Sequence, residues 1–426
     1  MQIKNYKNII TLLILCLGVI LNLLFIVYSF YYFSHNFYLP SPYYYDKSDT
    51  FNDFLGPLYN IITKNEGFYT DHYPVLSYIT YIPTIFLNSI IGLNLKFAAM
   101  ISLALYLFGL LYFLFLILIK LNVYKLNRKV GFLLLLFLST SFPLFFAAER
   151  GNLIIISTLL LEISIIYQRK MGIFYFLAGC IKPYLFVLFP INFKINIKNT
   201  LIYMAVPFFM VEFLFRDSAT IIFQNLINFQ TGGVNSVREI LSLQYSPTFL
   251  IGLLSSSNFI QLQFLPEILY LPIIIIIIFL CSVPLIFTLI LYYSSQISDL
   301  NNSFKLATNL LIISSLILIN YRLGGYSILL IYPFIGIIFS RNTSCYMCQI
   351  LFCIVLLPLD LIANIRTDIL YNIYISLSQV NSNVLWEYSL FQLIRTFLFY
   401  IFVIYLILFY INTYRLSINT RKNILD

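Results

Sequence analysis

Long apolar runs, interrupted by short clusters of polar and charged residues, set the pattern of this chain. A helix needs about 20 apolar residues to cross a hydrocarbon core of about 30 Å. Positions 9–32 meet that requirement and follow Lys4 and Lys7. The run is too long for a signal-peptide core and no small-residue cleavage site follows it, so it reads as a retained anchor with a cytoplasmic N-terminus. Positions 34–73 carry Asp46, Asp49, Asp53, Glu66 and Asp71 against Lys47 and Lys64, which places them outside. Positions 96–119 form a clean span ending in Lys120, Lys125, Arg128 and Lys129, a cytoplasmic cluster. Only one full crossing fits between these two segments. The intervening 74–91, which opens on Pro74 and holds Pro83, therefore reads as an interfacial or partly inserted helix.

The pattern continues with 130–147 going out, a turn at Glu149-Arg150-Gly151-Asn152, and 153–167 coming back. Positions 171–191 are basic on both sides and broken by Lys182-Pro183, where proline opens a helix, so a broken or re-entrant element is expected. Then come 201–215, a second external loop at 216–247, and a returning span at 268–293. Positions 307–320 lead out to Tyr321-Arg322-Leu323-Gly324-Gly325, 326–339 return, 347–363 go out and 388–411 return to Arg415, Arg421 and Lys422. The expectation is an all-α polytopic membrane protein with about 10 or 11 transmembrane helices and both termini cytoplasmic. It forms one membrane domain over 1–426, with a first module at 1–247 and further transmembrane helices at 248–426.

Composition changes the picture by exclusion. The chain is 61% hydrophobic and 10% charged, against about 45–50% and about 25% in soluble domains. So little charge cannot coat the surface of so large a core, which excludes a soluble globular protein, a disordered chain and a nucleic-acid binder. The excess of 25 Lys and Arg over 16 Asp and Glu fits cytoplasmic loops. Six scattered cysteines make no disulfide framework. Cys345-x-x-Cys348 has no second ligand pair for zinc, and His72 beside Asp71 is a weak metal signal. With no Walker motif, no GxGxxG and no Rossmann-like domain, nothing points to nucleotide chemistry inside the cell.

On this topology Asp49, Asp53, Glu149, Arg150, Asn152 and Arg322 fall at the external ends of spans, and Lys182 lies near mid-depth. Ionisable groups there are costly and are usually paired or functional. Carboxylates facing several fixed cations suggest an acid/base group beside a phosphate site. In the first loop, Asp49-Thr50-Phe51-Asn52-Asp53-Phe54 and Tyr69-Thr70-Asp71-His72-Tyr73-Pro74 set carboxylates among aromatics that can stack on sugar faces. The same segment also suits a solvated acidic loop with an aromatic belt. Glu149-Arg150-Gly151-Asn152 fits either a site or a helix cap with an ion pair. Arg322, before two glycines, fits either a phosphate clamp or a snorkelling side chain. Lys182, in an apolar run, needs a partner or a role.

In their order along the chain these pieces resemble a known family. Asp53-Phe54 is followed by Tyr73-Pro74-Val75-Leu76-Ser77, then by Ala148-Glu149-Arg150-Gly151-Asn152, then by Ala178-Gly179-Cys180-Ile181-Lys182-Pro183-Tyr184. This resembles the polytopic GT-C glycosyltransferases of the family 87 type, with Val75 standing where that group commonly has a second proline. The likeness covers about the first half of the chain. It implies a GT-C-like fold whose external first loop, 34–73, carries juxtamembrane helices, in a bacterial inner membrane. It also implies transfer of a sugar from a polyprenyl-phosphate donor to a glycan or lipid acceptor on the non-cytoplasmic side. By this resemblance Asp53 is the catalytic base, with Asp49 second. Arg150, Lys182 and Arg322 hold the donor phosphate, and Asn52, Tyr73, Glu149, Asn152 and Tyr184 support them. A divalent metal is left open.

Two other classes stay in view. A polysaccharide polymerase or ligase would place key Arg and His residues in large later loops, and 216–247 has Arg216 and Arg238 but no His. A flippase or transporter would show inverted repeats and polar residues at mid-membrane in both halves.

Overall fold

The computed structural model describes residues 2–34, 51, 53–56, 58, 74–115, 126–166, 171–188, 270–294, 302–319, 325–340, 345–357 and 390–425. In chain order the helices are α1 (Gln2–Ser34), α2 (Pro74–Ser89), α3 (Leu95–Phe115), α4 (Arg128–Ser139), α5 (Phe142–Arg150), α6 (Ile154–Ile166) and α7 (Met171–Ile181). A 3-10 turn, Pro183–Val187, follows α7. Then come α8 (Tyr270–Ser294), α9 (Asn302–Ile319), α10 (Tyr346–Val355) and α11 (Leu390–Leu425). Among the described residues there is no strand.

The chain is a membrane protein. Three helices are long and apolar enough to cross a bilayer, over Ile9–Val27, Leu95–Phe115 and Ile394–Arg415. Each presents large apolar side chains outward: Leu13, Leu17 and Leu24 on α1, Phe97, Leu105 and Phe108 on α3, Phe397, Ile404 and Leu408 on α11. Such stripes exceed what a soluble monomer leaves in water, and lipid is the solvent that suits them. Several buried hydroxyls are satisfied within their own helices. Thr158 donates to Ile154 O at 2.8 Å, Thr308 to Phe304 O at 2.8 Å and Ser314 to Leu310 O at 2.8 Å, as an apolar surround demands.

Several expected spans are built differently. The 130–147 run is two helices, α4 and α5, parted at Thr140-Ser141. The signal is local: Ser and Thr hydroxyls turn back on the preceding carbonyls, Thr140 to Leu136 O at 2.8 Å and Ser141 to Leu138 O at 2.6 Å, and Pro143 follows, a residue suited to a first turn. The 326–339 run is 3-10 over Gly325–Ile331, one α turn over Tyr332–Ile335, and 3-10 again over Gly336–Phe339. A 3-10 helix rises about 2.0 Å per residue against about 1.5 Å for an α-helix, so this short segment reaches further than its length suggests. The break expected at Lys182-Pro183 is present, between α7 and the 3-10 turn. The expected 201–215 span and 216–247 loop lie outside the described residues.

The chain divides into two compact units, each assembled from segments distant in sequence. One holds α1, α4 and α8 to α11. There α1 packs on α4 and α10, and α9 on α8 and α11. Phe304 stacks on Tyr410 with centroids 4.8 Å apart. Gln349 on α10 ties two neighbours: its Oε1 accepts from Thr11 Oγ1 and its Nε2 donates to Ile338 O, both at 2.9 Å.

The other unit holds residues 53–58, α2, α3, most of α5, α6, α7 and the 3-10 turn. Asn88 Nδ2 donates to Leu93 O at 2.7 Å and closes the turn from α2 to α3, which Asn94 caps by accepting from Lys96 N at 2.9 Å. Thr84 donates to Ser102 at 2.9 Å between the two helices. The helix α6 packs between α3 and α7. This unit carries the site.

Candidate functional site

The first-loop residues form a short helical turn at 53–56. Phe51 O receives Phe54 N at 3.0 Å and Leu55 N at 2.8 Å. Phe51 itself sits at φ 62, a conformation costing about 1–3 kcal/mol that survives only where the surroundings enforce it. What enforces it is Phe54. Its ring is fully buried and meets Tyr81 of α2 edge-on, with centroids 4.6 Å apart. Around it lie Leu58, Ala99, Leu103, Leu153, Ile156 and Phe186. In the Asp-Phe pair the Phe is the anchor, and the turn leaves Asp53 partly exposed.

The Glu-Arg-Gly-Asn turn approaches from the other side. α5 ends at Arg150, Gly151 takes φ +67, and α6 begins at Ile154. A Cβ on Gly151 would lie 2.8 Å from Phe54 Cβ and 3.2 Å from Phe51 Cα. Only a glycine permits both that backbone angle and that approach. The result is that the residues on either side of Gly151 grip one carboxylate. Arg150 Nη2 donates to Asp53 Oδ1 at 2.8 Å, and Asn152 Nδ2 donates to Asp53 Oδ2 at 2.8 Å. Asp53 and Arg150 are each 20% exposed, whereas Asn152 is buried. Asn152 also caps α6, its Oδ1 accepting from Ile154 N at 3.0 Å. Site and cap, alternatives in the sequence, are both made by one side chain.

Lys182 stands at the N-cap of the 3-10 turn and is 7% exposed. Its backbone is fixed at both ends: its N–H donates to Ala178 O and its carbonyl accepts from Leu185 N, both at 2.9 Å. Cys180 and Ile181 before it and Phe186 after it share the buried cluster that holds Phe54. The Lys-Pro-Tyr segment is thus built onto the same core as the Asp-Phe turn. Among the described residues its ammonium makes no hydrogen bond or ion pair. Tyr184 lies half-buried in that turn.

The structure brings together Asp53, Arg150 and Asn152, and roots Lys182 and Tyr184 in the adjoining core. Glu149 is in the last turn of α5, and its side chain lies outside what is described. Asp49, Asn52, Tyr73 and Arg322 lie outside the described residues. No group of three His, Cys, Asp or Glu gathers among the described residues. The positive charge beside Asp53 comes from Arg150.

Two buried ionisable residues escaped the reading of the sequence. Glu162 on α6 is fully buried, and neither carboxyl oxygen has a hydrogen-bond partner among the described residues. The signal was its being the single acid in an otherwise apolar run. A buried polar group without partners costs about 1–3 kcal/mol. Glu162→Leu is therefore expected to raise thermal stability by about that amount, read as the midpoint of the purified protein. Raised stability with lost activity would assign the carboxyl to the reaction. Arg395 on α11 is also fully buried. It donates to Leu357 O beyond the end of α10 at 3.3 Å, and its guanidinium lies 5.7 Å from the centroid of the Phe142 ring. Cation–π contact and a helix C-terminus both favour a cation there.

Comparison with protein-family models, with curated proteins and with solved structures finds no match to this chain.

Proposed function

We propose that the chain is a multi-pass glycosyltransferase that moves a sugar from a polyprenyl-phosphate donor to a glycan or lipid acceptor on the non-cytoplasmic side. The observation that carries this reading is the convergence of Arg150 and Asn152 on the carboxylate of Asp53. A carboxylate held by two donors is fixed in direction, and its oxygens retain lone pairs for an incoming hydroxyl. In the proposed reaction Asp53 takes the acceptor's proton as the hydroxyl oxygen attacks the anomeric carbon. The bond to the donor's phosphate oxygen breaks, and the polyprenyl phosphate leaves. One displacement inverts the anomeric centre. Arg150 is engaged with Asp53, so its first role in this scheme is to position the base. Lys182, with no acidic partner among the described residues, is the donor-phosphate contact.

The reading is tested with the purified chain in lipid nanodiscs and a panel of polyprenyl-phosphate sugars. Sugar-dependent release of polyprenyl phosphate supports it, and no release from any donor counts against it. In that assay Lys182→Ala should raise the donor KM, because a charge-assisted contact is worth about 1.5–3 kcal/mol. An unchanged KM removes Lys182 from the phosphate site.

The proposed orientation puts 34–73 outside and 120–129 and both termini in the cytoplasm. In a cysteine-free background an impermeant thiol reagent on intact cells should label Lys64→Cys and spare Lys125→Cys. The reverse pattern overturns the orientation.

A second reading, movement of a lipid-linked glycan across the bilayer, draws on Glu162 and Arg395. Buried ionisable groups in membrane helices commonly mark such paths. Accumulation of an intact lipid-linked glycan on the cytoplasmic face, with transfer chemistry unaffected, would favour it.

A further inference from the structure

The start of α10 carries a feature that sugar transfer does not use. Cys345 is the N-cap residue of that helix and Cys348 lies in its first turn. Residues three apart share a helix face, and both cysteines are free thiols. The pair is asymmetric: Cys345 is partly exposed and Cys348 is fully buried. Cys345 N donates to Ile338 O at 3.2 Å and Cys345 O accepts from Gln349 N at 3.0 Å, so the backbone of the pair is fixed. The neighbouring Cys348 thiol lowers the Cys345 thiol from its ordinary range to about 6, against burial, which raises it. Nucleophilic cysteines belong in such a setting: a helix N-terminus and partial exposure. Among the described residues no third ligand joins the two to form a metal site.

We propose that Cys345 and Cys348 are a redox-active dithiol that exchanges with small-molecule disulfides, Cys345 attacking and Cys348 resolving. In the first step the Cys345 thiolate attacks one sulfur of a disulfide such as glutathione disulfide. A mixed disulfide forms at Cys345, and one thiolate leaves and takes up a proton. In the second step Cys348 gives up its proton and attacks Cys345 Sγ, releasing the second thiol. Two protein thiols are oxidised to one disulfide, and one small disulfide is reduced to two thiols. The spacing of three residues at the start of α10 makes the two side chains neighbours, as the second step needs. The next residue, Gln349, bridges Thr11 and Ile338, so the redox state of the pair is set beside the junction of α1, α10 and the 3-10 segment.

The test equilibrates the full-length purified protein with glutathione disulfide, quenches it with an alkylating reagent and maps the peptides by mass spectrometry. The wild type should lose both thiols at 345 and 348 to an internal disulfide. Cys348→Ser should instead keep a glutathione adduct on Cys345, and Cys345→Ser should show neither product. Cys348→Ala serves as a second variant should serine disturb the buried site. The proposal falls if the folded wild type keeps both thiols alkylatable under oxidant that modifies the denatured chain. It also falls if both Cys348 variants are folded and leave Cys345 unmodified.

Discussion

Asp53→Asn is expected to lower sugar transfer by about 10²–10⁴-fold, the usual contribution of a positioned general base. The amide keeps the shape of the side chain but cannot take a proton. It also breaks the ion pair, since Arg150 Nη2 would lose the charged oxygen it meets at 2.8 Å. The two effects are separated by Arg150→Gln, which removes the pair and leaves the carboxylate. That variant should lose less activity than Asp53→Asn. Asp49→Asn provides the comparison in the same loop and should cost much less. If Asp53→Asn turns over at the wild-type rate while Asp49→Asn is inactive, the base is Asp49. If both remain active, the loop holds no base and the transferase mechanism fails.

Gly151→Ala should be the most damaging small substitution in the site. The added Cβ would meet Phe54 Cβ at 2.8 Å, Leu103 Cδ1 at 3.0 Å and Phe51 Cα at 3.2 Å. Overpacking of this kind costs about 1–3 kcal/mol, and the φ of +67 adds about 1–3 kcal/mol for a residue with a Cβ. Because the clash lies between the two halves of the Asp53 grip, activity should fall further than stability. Gly92→Ala is the control. Its φ is +77 but a Cβ there meets nothing within 4 Å, so it bears the backbone strain alone. Equal losses in the two variants, measured as melting midpoint and turnover, would show that the close approach at Gly151 does not matter.

Some of this architecture was legible because it depends on local quantities. Run length gave α3, and the Lys182-Pro183 break followed from the missing N–H of proline. The cap on α6 was readable from Asn152 alone. The break between α4 and α5 was written in Ser139-Thr140-Ser141 and Pro143, but the high average apolarity of the run hid it. The same averaging hid Glu162. What no local pattern carries is partnership. Arg150 meets a carboxylate 97 positions away, so the sequence offered it to a phosphate with equal justice. Nor does a linear reading reveal that two compact units interleave along the chain, because that depends on which helices pack together.

Lipid-linked sugars in cells with and without the gene test the central claim most directly. Cells lacking it should accumulate one polyprenyl-phosphate sugar and lose the matching residue from a surface glycan or lipid. Wild-type protein should reverse both changes, and Asp53→Asn, expressed at the same level, should reverse neither. Unchanged polyprenyl-phosphate sugars in the deleted cells, or full rescue by Asp53→Asn, would contradict a transferase built on Asp53.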